Sequence, residues 1–347
     1  GATETATGTG GDVADLRLGF IGCGRHARAN LYPSIALAGG RVHSIAARTL
    51  DSARQAAQRF GAQQAHAGHR SLLDQGTGEG GLDAVFVSVA PEDHAAVVID
   101  CLRAGLHVFV EKPLGMTGDE AALVAEVAQQ TGRHVMVAFM KRFAPSYAKV
   151  RDAMADTDSF GETMSFASTF GFSSWTPDLD TAGFLRLAAI HVVDLVSALF
   201  GEVENVAGHQ RSRGADINLV FAMRCASGVV GTMNLVAAPA WGREHEELTV
   251  TGRTGFVTAS DLDRVLLHIE RPRSGAPRWH RLDEETVVFQ AAASTGSGGE
   301  ADLYRRGFAG EVAHFLQCVR DGAAPTPSAN DNVRTTVLVD RMLAAVS

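Results

Sequence analysis

Six residues, Gly22-Cys23-Gly24-Arg25-His26-Ala27, follow the apolar segment Leu16–Ile21 and open a helical stretch. Glycine in the first position permits a tight turn, glycine in the third lets backbone approach a pyrophosphate, and alanine in the sixth lets a helix pack closely on a strand. The N–H groups and positive dipole end of that helix are offered to phosphate. This pattern predicts a dinucleotide site on Gly22, Cys23, Gly24, Arg25 and His26. About twenty residues on, where an acid would hydrogen-bond a ribose 2′-hydroxyl, the chain reads Ala47-Arg48-Thr49, with Ala47 in the acid's place. A guanidinium there pairs bidentately with a 2′-phosphate, so NADP(H) is expected in preference to NAD(H). The plainer reading is a solvated Arg48 and no preference.

Two further residues carry proton and carbonyl chemistry. Lys112 follows Val108-Phe109-Val110-Glu111 at the carboxyl edge of a strand, where open parallel sheets bind ligands. An ammonium there reaches both a nicotinamide and a substrate hydroxyl. His191 lies in the helical stretch Phe184–Phe200 and, at 3.6 residues per turn, shares a face with Leu187 and Asp194. Imidazole exchanges protons at neutral pH and suits a general acid/base. Each has a plainer alternative: Lys112 in a surface ion pair, His191 as a satisfied, partly buried side chain, Asp194 as the partner of an arginine.

The elements that must position these residues are legible as alternating strand and helix. Strands are expected at Leu16–Ile21, Val42–Ala47, Ala84–Val89, Val108–Glu111 and Val135–Phe139, several apolar throughout, as strands covered on both faces should be. Helices are expected to end at Gly61, Gly105 and Gly132, and Thr117 with Glu120 reads as a capping box. After Arg142 the rhythm changes to a meander, with strands at Glu162–Phe172, Asn218–Arg224, Val229–Val236 and Glu247–Val250, one long helix at 184–200, and two closing helices near Phe308–Asp321 and Asp331–Val346. The expected division is a flexible tail over 1–15, a Rossmann domain over 16–142 and an α+β domain over 143–347.

The 347 residues carry a formal charge of −8 with no basic block, which argues against a backbone-tracking nucleic-acid binder. Four scattered cysteines offer no zinc spacing or disulfide framework, so no metal is expected. The best membrane candidate, Phe184–Phe200, is interrupted by Arg186, His191 and Asp194. Neither membrane nor leader segment is read, and the expected compartment is the cytoplasm.

The glycine turn, the Val-Phe-Val-Glu-Lys-Pro strand end, Phe-Met-Lys-Arg-Phe-Ala-Pro at 139–145 and the His191-x-x-Asp194 helix together resemble the glucose-fructose oxidoreductase / inositol dehydrogenase / MocA family. The resemblance covers nearly all of the chain after the tail. It implies an α/β fold: a Rossmann domain, then an α+β domain whose large, mainly antiparallel open sheet forms a homo-oligomer interface, in a dimer or tetramer. It implies hydride transfer between nicotinamide and a hydroxyl or keto carbon of a sugar, nucleotide sugar or cyclitol. Lys112 and His191 match the family's catalytic pair, Ser88, Val89 and His94 its cofactor-lining strand end, with Glu111 beside them, and Arg142 a basic residue near the nicotinamide. One position departs: the family often has Asp four residues before the histidine, and here Leu187 stands there. Leucine accepts no hydrogen bond, so another group must orient His191, and Asp194 is the first choice. Trp175 is expected to wall the substrate pocket or simply to pack; with Lys112, His191 and Asp194 it completes the expected substrate contacts. Two rival readings stay open: a cofactor-binding regulator without hydride exchange, and an internal-redox enzyme of glycosidase or hydratase type with retained NAD.

Overall fold

The computed structural model describes residues 12–174, 176–271, 285–292 and 298–347. The chain divides into two compact units, the first comprising 1–138 and 309–333, the second 139–308 and 334–347. The sequence reading placed a single boundary at 142, whereas the segment 309–333 clusters with the first unit.

In the first unit the order is β1 (Leu18–Ile21), α1 (Tyr32–Leu37), β2 (Val42–Ala47), α2 (Leu50–Phe60), β3 (Gln64–Ala67), α3 (His69–Leu73), β4 (Ala84–Val87), α4 (His94–Arg103), β5 (His107–Glu111), α5 (Gly118–Thr131) and β6 (Val135–Ala138). The six strands form a parallel sheet ordered β3-β2-β1-β4-β5-β6. The strand order reverses beside β1, and the switch point at its carboxyl end is where such sheets bind ligands. Strands β1, β4 and β6 are buried at every position, because helices cover both faces. Helices α2 and α5 end at Gly61 (φ 75°) and Gly132 (φ 64°), left-handed caps that glycine adopts without a Cβ penalty. Thr117 caps α5 by accepting from the Glu120 N–H, while the Glu120 carboxylate reaches the Met116 N–H, so only half of the expected box forms. Part of the expected tail is ordered: Val13–Asp15 makes a 3₁₀ turn capped by Asp12.

The second unit holds α6 (Pro145–Ala155), β7 (Thr163–Phe172), α7 (Thr181–Gly183), α8 (Ile190–Phe200), β8 (Val203–Arg213), β9 (Asp216–Cys225), β10 (Val230–Ala237), β11 (His245–Gly252), β12 (Gly255–Ser260), β13 (Arg264–Ile269), β14 (Thr286–Gln290) and α9 (Glu300–Arg305). Two helices follow, α10 (Phe308–Asp321) and α11 (Ala329–Val346). The eight strands form one sheet ordered β14-β13-β12-β11-β7-β10-β9-β8, with β7 and β10 parallel and the other neighbours antiparallel. Along β9 exposed and buried residues alternate strictly, the signature of a sheet covered on one face. The covered face contributes Phe166, Phe170, Leu219, Phe221, Met233, Leu235 and Val250 to the core.

Residues 181–200 form one helical run that is apolar and long enough, by length and composition, to cross a membrane. Most of it is buried within this unit, with Ile190, Val193 and even Asp194 at 1 % exposure or less, so its apolarity is that of a core helix. The run is not uniform: Phe184–Ala189 is a π-helical stretch between α7 and α8.

Candidate active site

The chemistry-bearing residues fall into two groups, one in each unit. In the first unit the glycine turn leaves β1 and enters a helix that begins with a π-helical stretch, Ala27–Leu31, before α1. Gly22 has φ +114° and passes so close to β4 that an added Cβ would lie 1.9 Å from the Ser88 carbonyl oxygen. Its N–H donates to the Ala46 carbonyl and its own carbonyl accepts from the Tyr32 hydroxyl at 2.9 Å, which fixes the turn between β1, β2 and the helix. Gly24 is the opposite case: an added Cβ would meet no atom within 4 Å. That open space beside a helix start fits the close approach of a pyrophosphate, and Ala27, fully buried, gives the close helix packing the sequence demanded. Cys23 is half-buried, Arg25 and His26 are exposed, and Ser88 and Val89 are half-buried at the β4 end. The turn therefore fits a dinucleotide on its own geometry.

At the β2 end Ala47 is 8 % exposed, Arg48 is exposed, and Thr49 caps α2 by accepting from the Ser52 N–H. No acid stands at the strand end where a ribose 2′-hydroxyl would be bound.

Lys112 is half-buried just beyond β5. Glu111 beneath it is 7 % exposed and bridges two parts of the site: one oxygen lies 2.7 Å from His26 Nε2 and the other accepts from the Lys112 N–H at 3.2 Å. Burial pushes the Glu111 carboxyl up, but the contact with His26 and the charges of Lys112 and His94 outweigh it, and the group sits below the usual carboxylate range. His94, expected to line the cofactor, is instead 1 % exposed, and its Nδ1 donates to the Pro113 carbonyl at 2.7 Å. Burial lowers its pKa. It braces the turn that carries Lys112 from behind.

In the second unit His191 is half-buried on the first turn of α8, edge-on to Phe139 at 6.2 Å between ring centres. Asp194 is fully buried and accepts two hydrogen bonds from Arg142, from Nε and Nη2 at 2.7 Å each, and a third from the Thr335 hydroxyl at 3.0 Å. Of the two readings left open for Asp194, the geometry gives the arginine pair, and it accounts for Arg142, expected near the nicotinamide, in the same bond. The π-helical stretch also removes the premise that Leu187 and His191 stack four residues apart, since the wider turn there is closed by i→i+5 bonds. Trp175 lies outside the described residues.

Sequence reasoning missed the link of His26 to Glu111 and a buried cluster in which Glu246 accepts from Lys141 Nζ at 2.5 Å and from the Tyr147 hydroxyl at 2.6 Å, and it offered an arginine for Asp194 without naming Arg142. Each of these contacts joins residues 52 to 105 positions apart, which no local pattern encodes.

A parallel sheet in this order with a glycine turn at its switch point defines the class, a Rossmann dinucleotide-binding protein. The chain belongs to the glucose-fructose oxidoreductase / inositol dehydrogenase / MocA oxidoreductase family: residues 16–139 match its NAD-binding Rossmann fold and residues 153–347 its C-terminal alpha/beta domain. Similar proteins include a dTDP-3,4-didehydro-2,6-dideoxy-alpha-D-glucose 3-reductase of Actinomadura kijaniata, 26 % identical over 339 residues and covering 94 % of both chains. An inositol 2-dehydrogenase of Acidothermus cellulolyticus is also 26 % identical, over 94 % of this chain and 91 % of its own. Among solved structures, levoglucosan dehydrogenase in complex with NADH and L-sorbose has the same fold, with TM-score 0.80 at 21 % identity over 95 % of this chain and 96 % of that one.

Proposed function

We propose that this oxidoreductase uses NADP(H) to move hydride between nicotinamide and a hydroxyl or keto carbon of a sugar, nucleotide sugar or cyclitol. The observation that carries the cofactor choice is the exposed Arg48 at the β2 end, beside Ala47 where an acid would bind a ribose 2′-hydroxyl. The substrate class rests on the relatives, which are named for a nucleotide-sugar ketone and for inositol. The bound nicotinamide supplies the hydride acceptor or donor. The chain's own residues do the rest. The Gly22–Ala27 turn binds the pyrophosphate, Arg48 pairs with the 2′-phosphate, Lys112 donates a hydrogen bond to the reacting oxygen, and His191 exchanges that oxygen's proton. Arg142 and Asp194 hold α8, and so His191, in place.

The partners that follow are a small sugar-like substrate and further copies of the same chain, through the open face of the eight-stranded sheet. Four free thiols, one of them the half-buried Cys23 in the nucleotide turn, suit a reducing cytoplasm.

Fluorescence titration of the purified protein with NADPH and with NADH tests the cofactor reading. Wild type is expected to prefer NADPH, and Arg48→Ala to weaken NADPH by about tenfold or more while leaving NADH nearly unchanged, since a charged bidentate contact is worth more than one decade. Equal losses for both, or NAD(H) retained through purification, overturn the preference.

A further inference from the structure

One buried carboxyl in the first unit has no part in the machinery above. Glu311 lies in the first turn of α10 at 0 % exposure, and neither carboxyl oxygen has a hydrogen-bond partner. Its location follows from two periodicities. Glu311 and Phe315 are one helical turn apart and share a face of α10, while Phe109 and Glu111 are two residues apart and share a face of β5. Phe315 packs edge-on to Phe109 at 5.6 Å between ring centres, so these two faces meet. Glu111 is also the charge that acts on Glu311. Two carboxylates in one dry space cannot both ionise. Glu111 has what an anion needs: His26 from the glycine-turn helix, the Lys112 N–H and ammonium just beyond its own strand, and the His94 ring from α4. For Glu311 the α10 dipole favours charge weakly. Burial, and then the Glu111 charge, oppose it far more strongly and raise its pKa well above the usual range.

We propose that Glu311 is a positioning residue for the cofactor-binding strand end, an uncharged acid that carries the single proton of the Glu111–Glu311 pair and so leaves Glu111 as the one anion serving His26 and Lys112. When Glu311 loses that proton, a second negative charge appears behind the turn that holds the pyrophosphate, and dinucleotide affinity falls. The inference rests on the dinucleotide reading of the Gly22–Ala27 turn, but on neither the choice of cofactor nor the substrate.

Infrared spectroscopy of the cofactor-free protein reads the proton directly. A protonated-carboxyl stretch is expected at neutral pH, absent in Glu311→Gln, and in Glu111→Gln it should titrate away at lower pH because the opposing charge is gone. Failure to find the band, or an unchanged titration in Glu111→Gln, overturns the proposal. Fluorescence titration with NADH from about pH 6 to pH 10 reads the consequence: wild type should lose affinity several-fold on the alkaline side, and Glu311→Gln should lack that limb. An identical limb in both proteins rules out the positioning role, since a purely structural Glu311 would not move a pH profile. If NADH fails to bind at any pH, the dinucleotide reading falls while the infrared result still decides where the proton sits. If Glu311→Gln fails to fold, the shift in Glu111→Gln decides alone.

Discussion

Asp194 shows how residue identity and residue role separate. In the sequence it is a carboxylate one turn from a histidine, suited to orienting it. In the fold both oxygens receive Arg142, and one also receives Thr335, in a setting that is 1 % exposed at the carboxylate and 19 % at the arginine. Removing one member of such a pair strands the other's charge in a nearly dry site and costs about 3–5 kcal/mol. Asp194→Ala is therefore expected to lower the melting temperature by roughly 10 °C in a unit of this size, and Arg142→Ala to do much the same. The double variant should lose much less than the sum, because the stranded charge is gone. Calorimetry of the three proteins checks this. Additive losses, or a full-strength melt with only turnover impaired, would return Asp194 to the role of a group facing a ligand.

At the scale of elements, the glycine turn separates two jobs that the sequence motif merges. Gly22 is dictated by the fold itself: its φ of +114° and the 1.9 Å approach to the Ser88 carbonyl leave no room for a methyl group. Gly24 has open space around it and is dictated by what approaches. Gly22→Ala is expected to force the β1 and β4 ends apart, losing about 3 kcal/mol of stability from backbone strain and overpacking together, and dinucleotide binding with it. Gly24→Ala should melt like wild type and bind NADPH about tenfold more weakly, a loss of roughly 1.4 kcal/mol. Thermal melts beside the fluorescence titration distinguish the two, and a lowered melt for Gly24→Ala would refute the assignment. The same contrast explains which elements were legible. Strand β2 (Val42–Ala47) and helix α10 (Phe308–Asp321) fall where apolar runs and helical spacing put them. Strand β3 was missed because Gln64-Ala-His-Ala67 is short, half-exposed and free of β-branched residues, and β8 because an edge strand with exposed Glu204, Asn205, Gln210 and Arg211 has no alternation to read. The π-helical stretch at 184–189 was invisible because periodicity counts every turn at 3.6 residues, and the Leu187–His191–Asp194 face was drawn on that count. The dinucleotide half of the site was legible because its motif is contiguous. The His26–Glu111 link was not, nor was the choice of Arg142 as the partner of Asp194, because only tertiary packing closes such contacts. Glu311 did leave a trace, a carboxylate on the apolar stripe of Phe308, Val312 and Phe315.

At the scale of the whole molecule, an unusual exposed surface is the uncovered face of the eight-stranded sheet. Toward its middle the outward positions are small or flat, with Ala167 and Thr169 on β7, Val220 and Ala222 on β9, Thr232 and Asn234 on β10, Thr249 on β11 and Thr258 on β12, while Arg224, Glu247 and Phe256 flank them. Val220 and Val230 on that face are 52 % and 49 % exposed. Eight strands about 4.8 Å apart and some eight residues long at about 3.3 Å per residue make a face of roughly 1,000 Å², more than the about 800 Å² per partner that a stable interface needs. A two-fold axis would set this face against the same face of a second copy. The expected state in solution is a dimer, or a tetramer built from it, readable by light scattering on a sizing column at micromolar concentration. Thr232→Arg combined with Val220→Arg places like charges on the symmetric face and should give a monomer. Because both side chains point away from the core, the melt of that monomer should change only by the stabilisation that assembly itself lends. A wild-type protein that elutes as a monomer at that concentration would remove the sheet face from the interface, and so would a doubly substituted protein that remains assembled.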